Sequence, residues 1–164
     1  MTSNVDISVS AAVWSRFPEA EQVIRRAIAA SESAFENCDD CASDVSVLLC
    51  DDEEIRRLNR RWRGKDSSTN VLSFPTPDGV ARLTHLGDIA IAFETVDREA
   101  REEHKNFADH LSHLTVHGYL HLVGFDHEVD EEAEEMESLE REILARLDIA
   151  DPYDSARDAD RPKT

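Results

Sequence analysis

The sequence predicts an α+β domain: a small mixed sheet of four strands packed with about five helices. Three observations point there. Three short segments alternate apolar and polar residues with period two, and a fourth is a short apolar run ended by a proline. Apolar residues at helical spacing separate the first of them. From Glu94 onward every pattern is helical.

Val5, Ile7 and Val9 alternate with polar residues and form the first strand. Pro18 suits the first turn of a helix whose apolar face is Val23, Ile24, Ala27 and Ile28. Val45, Val47 and Leu49 mark the second strand, and Cys50 closes it as a core residue. Asp51 and Asp52 are placed to cap the next helix, whose apolar residues are Ile55, Leu58 and Trp62. Asn70–Phe74 is a third strand ended by Pro75. Residues 76–86, with Pro77, Asp78 and Gly79, form a turn or hairpin loop. Ile89, Ile91 and Phe93 give the fourth strand. The helical remainder is expected to break near His104–Asn106. Leu111–Phe125 contains no Asp, Glu, Lys or Arg in a chain that is 33% charged, so its helix is expected to be buried on most sides. A last helix carries the stripe Ala133, Met136, Leu139, Ile143, Leu144 and Leu147, with an acidic opposite face. Residues 1–150 are read as one domain. Residues 151–164, with two prolines and almost no apolar residues, are expected to be a disordered tail.

The chain has 164 residues, 36 acidic and 18 basic, for a net charge of -18. Such a surface repels nucleic acid and anionic membrane on average. No run of 18 apolar residues occurs, so no membrane association is expected, and the expected location is the cytoplasm. Three cysteines, an odd number, fit a reducing compartment. Cys38-Asp39-Asp40-Cys41 has no second pair or nearby histidine to complete a metal site, and its aspartates raise rather than lower thiol pKa values. It is read as two loop cysteines.

The stretch from 117 to 127, H-G-Y-L-H-L-V-G-F-D-H, carries chemistry. His117 and His121 stand one helical turn apart and can share a cation. Gly124 can end the helix in a left-handed conformation, and the returning chain brings His127 to the same ion. Three imidazoles with a fourth position for water describe a catalytic zinc site. The spacing matches the ligand frame of metzincin proteases, but Gly118 stands where those enzymes carry the catalytic Glu. This argues for a hydrolytic reaction other than standard peptide cleavage. His113 belongs to a rival set with His117 and His121. Eight helical residues span about 12 Å, so the three cannot meet at one ion; His113 is assigned beside the site or to the core. Asp126 is a candidate to orient a ligand imidazole or to cap the following helix.

Six of the 18 basic residues fall between 56 and 65: Arg56, Arg57, Arg60, Arg61, Arg63 and Lys65. They either complement a helix C-terminus or contact phosphate. Trp62 either packs in the core or stacks on a base. A water-activating metal beside arginines suits phosphodiester cleavage.

With these residues in view, the chain resembles the bacterial YbeY proteins. The signature H-G-x-L-H-L-x-G-x-D-H stands at 117–127, and three further segments are similar: Leu58-Asn59 with Trp62-Arg63-Gly64-Lys65-Asp66, then Thr69 through Pro75, then Leu86-Gly87-Asp88-Ile89. Met136 and Glu140 on the acidic helix also match. The likeness spans residues 44–147; Phe125 replaces a common Tyr, and Trp62 an often smaller aromatic. It implies one zinc ion per chain on His117, His121 and His127, with Arg63 as the functional arginine. It further implies cleavage of single-stranded RNA, maturation of the 3′ end of small-subunit ribosomal RNA, and late ribosome quality control. The implied partners are RNA and the ribosomal small subunit or its proteins. Proton transfer is open among Asp88, Glu94 and Asp126. Two other readings stand beside this one: a metallohydrolase of another substrate such as peptide, and a non-enzymatic ribosome assembly factor with a structural metal.

Overall fold

The computed structural model describes residues 4–35, 44–77, 79, 84–126 and 128–153. Among them are four strands, β1 (Val5–Val9), β2 (Asp44–Cys50), β3 (Val71–Pro75) and β4 (His85–Ala92). Five α-helices accompany them: α1 (Ala20–Ser33), α2 (Asp52–Arg63), α3 (Phe93–Glu102), α4 (Phe107–Leu122) and α5 (Asp130–Arg146). The strand order is β1-β2-β4-β3. β1, β2 and β4 are parallel, with Val5 opposite Val45 and Val47 opposite Ile89. β3 runs antiparallel to β4, with Ser73 opposite Ile89, so the sheet is mixed. The predicted α+β class is the observed one.

Alternation sorts the sheet into two faces. Val45, Val47, Leu49, Ile89 and Ile91 pack with Ile24 and Ile28 of α1 and Leu111, Leu114 and Leu122 of α4. Cys50, Leu72, Ala90 and Ala92 pack with Ile55 on the α2 side. The back of α4, Val116 and Leu120, meets Ala27 of α1 and Met136, Ile143 and Leu144 of α5. Neighbours on three sides explain why α4 is apolar nearly all round.

Helix ends are set locally. Asp51 accepts the Glu54 N–H at 2.9 Å and caps α2. Asp52, in its first turn, instead accepts from the backbone and hydroxyl of Thr95, while Glu94 accepts the Asp52 N–H, so the starts of α2 and α3 cap each other. The break predicted near His104–Asn106 is present: His104 adopts φ 56° and ends α3, and Asn106 caps α4 through Asp109. Histidine tolerates this left-handed region better than most residues.

Several expectations need correction. Phe93 is the first residue of α3, not the end of β4. Pro18 lies in a turn before α1, preceded by a 3₁₀ turn, Ala12–Arg16, that the period-based reading missed. Trp62 is 59% exposed rather than core. Asp151–Tyr153, expected in a disordered tail, dock on α5: Asp151 pairs with Arg141 at 3.1 Å. Cys38 and Cys41 lie outside the described residues.

Gly87 sits where β3, β4 and the end of α4 converge. A Cβ there would stand 2.6 Å from both Phe74 O and Leu122 Cδ2. Gly87→Ala should therefore lower stability by about 2–3 kcal/mol through overpacking. Thermal unfolding should show a fall of roughly 5–10 °C for a domain of this size.

Candidate metal centre

The end of α4 builds the centre. Gly124 N–H bonds His121 O at 3.2 Å and Phe125 N–H bonds Leu120 O at 3.0 Å, with Gly124 at φ 107°. This is the Schellman arrangement, and Gly124 supplies the left-handed residue it needs. The turn carries Phe125 O back over the helix, where it accepts a hydrogen bond from His121 Nδ1 at 3.0 Å.

His117 is held from another direction. Its Nδ1 donates to Glu140 Oε1 of α5 at 2.5 Å. Glu140 is fully buried. Burial alone would push its carboxyl pKa up, but the adjacent His113 and the hydrogen bond from His117 outweigh it and hold the pKa down at about 2. A carboxylate and a carbonyl only accept, so both Nδ1 atoms carry the proton. In the neutral rings both Nε2 atoms then present lone pairs. These two atoms face one another at 3.1 Å.

That arrangement fits a shared cation. Two tetrahedral zinc ligands at about 2.0–2.1 Å from the metal lie roughly 3.3 Å apart, close to the observed spacing. Two facing lone pairs without a cation or proton between them would repel. His127 lies outside the described residues. Among those described, no set of three His, Cys, Asp or Glu side chains groups as a metal cage.

Glu140 is the residue that periodicity alone missed; only the family likeness pointed to it. The signal was a lone Glu on the apolar stripe of α5, four after Met136 and three before Ile143. It orients His117, the kind of role the sequence offered to Asp126. The N-cap of α5 is Val129, not Asp126. Tyr153 OH donates to Glu140 Oε2. Burial and the Glu140 charge push that phenol well above the usual tyrosine range. His113 lies beside the site, its Nε2 3.6 Å from Glu140 Oε2. His110 bonds Glu99 at 3.0 Å and ties α4 to α3.

Gly118 faces the sheet. A Cβ there would lie 3.2 Å from both Ile89 Cγ2 and Ser73 Oγ. The position that carries the base in metzincins is therefore a packing contact here. Asp88 pairs with His85 on the other sheet face, and Glu94 is engaged with the α2 backbone.

Arg63 stands at the β3 edge, its Nη2 donating to Ser73 O at 2.6 Å. Ser73 Oγ in turn donates to Gly118 O at 3.0 Å, so one residue links the arginine to the helix that carries the histidines. The Arg63 guanidinium lies 5.8 Å from the centre of the Phe74 ring. Arg63, Trp62, Leu58, Phe74 and Asp88 line a groove of about 690 Å³ on the α2 side of the sheet. Arg56 is paired with Asp66 at 2.8 Å, and Arg61 lies over Trp62 at 5.1 Å. The six basic residues thus differ in role.

The family described as Endoribonuclease YbeY matches residues 9–148. The chain is 53% identical to the Endoribonuclease YbeY of Bradyrhizobium diazoefficiens, over 97% of this chain and 87% of that one. It is 49% identical to that of a Chelativorans species, over 91% and 92%. Its fold is similar to the solution structure of TM1509 from Thermotoga maritima, at TM-score 0.55 and 25% identity, over 98% of this chain and 99% of that one. A match across nearly the whole domain and a signature that folds into one paired-histidine centre lead to one conclusion: the chain belongs to the YbeY endoribonuclease family.

Proposed function

We propose that this chain is a zinc-dependent endoribonuclease that cuts single-stranded RNA, with one zinc ion held by His117, His121 and His127. The observation that carries the reading is the pair of Nε2 atoms 3.1 Å apart, with both Nδ1 atoms engaged elsewhere. A bound zinc ion supplies a water of lowered pKa and a positive charge beside the scissile phosphate. The chain's own residues do the remaining work. Glu140 and Phe125 O fix the tautomers and orientations of the ligand rings. Arg63 is anchored on Ser73 by one of its five N–H donors, and others can meet phosphate oxygens as charge builds there. Exposed Trp62 offers a ring on which an unpaired base can stack. With Gly118 packed on the sheet, Asp126, next in the chain to the carbonyl that holds His121, is our choice for proton transfer.

In the cell we assign this activity to maturation of the 3′ end of small-subunit ribosomal RNA and to late ribosome quality control in the cytoplasm. The family likeness supports that assignment. A charge of -18 disfavours naked RNA, so a small-subunit protein surface that presents the RNA suits this molecule.

Zinc content and cleavage of ribosomal RNA, measured together with and without chelator, test the reading. Wild type should bind one zinc per chain and cut. His121→Ala should lose both zinc and cutting while keeping its fold by circular dichroism. Zinc bound without cutting in any sample would favour the assembly-factor reading instead. Arg63→Ala should retain zinc but cut about 10²–10³-fold more slowly, the usual cost of removing a donor to developing charge. Loss of zinc from that variant would make Arg63 structural. Trp62→Ala should raise KM about tenfold with little change in kcat, as loss of one stacked base implies.

A further inference from the structure

The segment after α5 contributes to the centre, although it lies beyond residue 148, where the family match ends. Asp148 adopts φ 58° and ends α5, with Ile149 N–H bonding Leu144 O at 2.9 Å. The chain then turns back along α5 and is pinned at Asp151, Pro152 and Tyr153. Asp151 pairs with Arg141 and accepts the Tyr153 N–H at 2.8 Å. Pro152 is buried, and its carbonyl accepts from Lys105 Nζ at 3.3 Å. The Tyr153 ring is covered by Arg141 at 5.2 Å and stands edge-on to His113 at 5.7 Å. The outcome is a hydroxyl delivered to one buried atom, Glu140 Oε2.

Glu140 Oε2 has few alternatives. His113 Nε2, at 3.6 Å, is beyond hydrogen-bond length. The other oxygen, Oε1, holds His117. A carboxylate fixed at both oxygens cannot rotate about its terminal torsion. One fixed only at Oε1 can turn to satisfy a buried oxygen left without a donor. We propose that Tyr153 is a positioning residue for the ligand His117, acting through Glu140, so that metal affinity depends on this docked C-terminal segment. This inference rests on the zinc reading above.

Tyr153→Phe isolates the hydroxyl, because the ring contacts with Arg141 and His113 remain. Outer partners of metal ligands typically set 10–100-fold in affinity. The variant should bind zinc about tenfold more weakly in competition with a chromogenic chelator, while the metal-free protein keeps its fold by circular dichroism and melts only a few degrees lower. In a Glu140→Gln background the same substitution should change zinc affinity less than twofold, since the relay is already cut.

A second readout needs no metal. In the metal-free wild type, the His117 Nδ1 proton should be visible downfield in a ¹⁵N-edited proton spectrum, protected from exchange by Glu140. In Tyr153→Phe it should broaden or vanish. Zinc affinity within twofold of wild type, or tighter, together with an unchanged His117 proton, would overturn the inference while leaving the zinc reading standing. A wild type that takes up no zinc would overturn the zinc reading and, with it, the dependence of metal affinity on Tyr153. The proton spectrum would then still report whether Tyr153 positions His117.

Discussion

A buried carboxylate organises this molecule. Glu140 has no solvent exposure, and its charge is retained because His117 and Tyr153 engage its two oxygens and His113 lies nearby. An unpaired carboxylate at that depth would cost several kcal/mol, so the charge is tolerated only with its partners in place. The partners come from α4, the helix packed between sheet, α1 and α5, and from the segment beyond α5. The interaction therefore joins the core to the centre. It also settles the tautomer of His117 and hence which nitrogen faces His121.

The second half of the centre is a backbone matter. The Gly124 turn closes α4 and aims one carbonyl at His121. One histidine is oriented by a charged side chain and the other by a peptide carbonyl, so the pair does not depend on two buried charges. Arg63 enters through a third element. Its bond to Ser73 O occupies an outward backbone acceptor of the edge strand β3, which blunts pairing there as it positions the guanidinium. Its side of the sheet also carries the groove with exposed Trp62, so the arginine lies between that groove and α4.

Much of this was legible from residues alone. Strands announced themselves by alternation, α4 by its lack of charge, and the facing pair His117 and His121 by its spacing and its glycine. What escaped has physical reasons. Trp62 sits on the apolar stripe of α2, and a stripe does not reveal how far the opposing sheet extends; here the helix overhangs a groove. Phe93 continued the alternation of β4, but reciprocal capping between Asp52 and Glu94 turned the chain into a helix at that residue. Glu140 was visible as an interruption of an apolar stripe, yet its role required knowing that α5 crosses α4 at His117. Tyr153 carried no local signal, because its importance lies in one long-range hydrogen bond. Gly118 looked like a deleted base; the structure shows a helix pressed on a sheet, where any side chain would be crowded.

The central claim is that the two Nε2 atoms share one metal. X-ray absorption on the zinc-loaded full chain tests it most directly. The account predicts one zinc per chain, a shell of nitrogen and oxygen at about 2.0–2.1 Å, and outer scattering from at least two imidazoles. A shell containing sulfur at about 2.3 Å would move the metal to Cys38 and Cys41 and contradict the account, as would substoichiometric zinc without imidazole scattering.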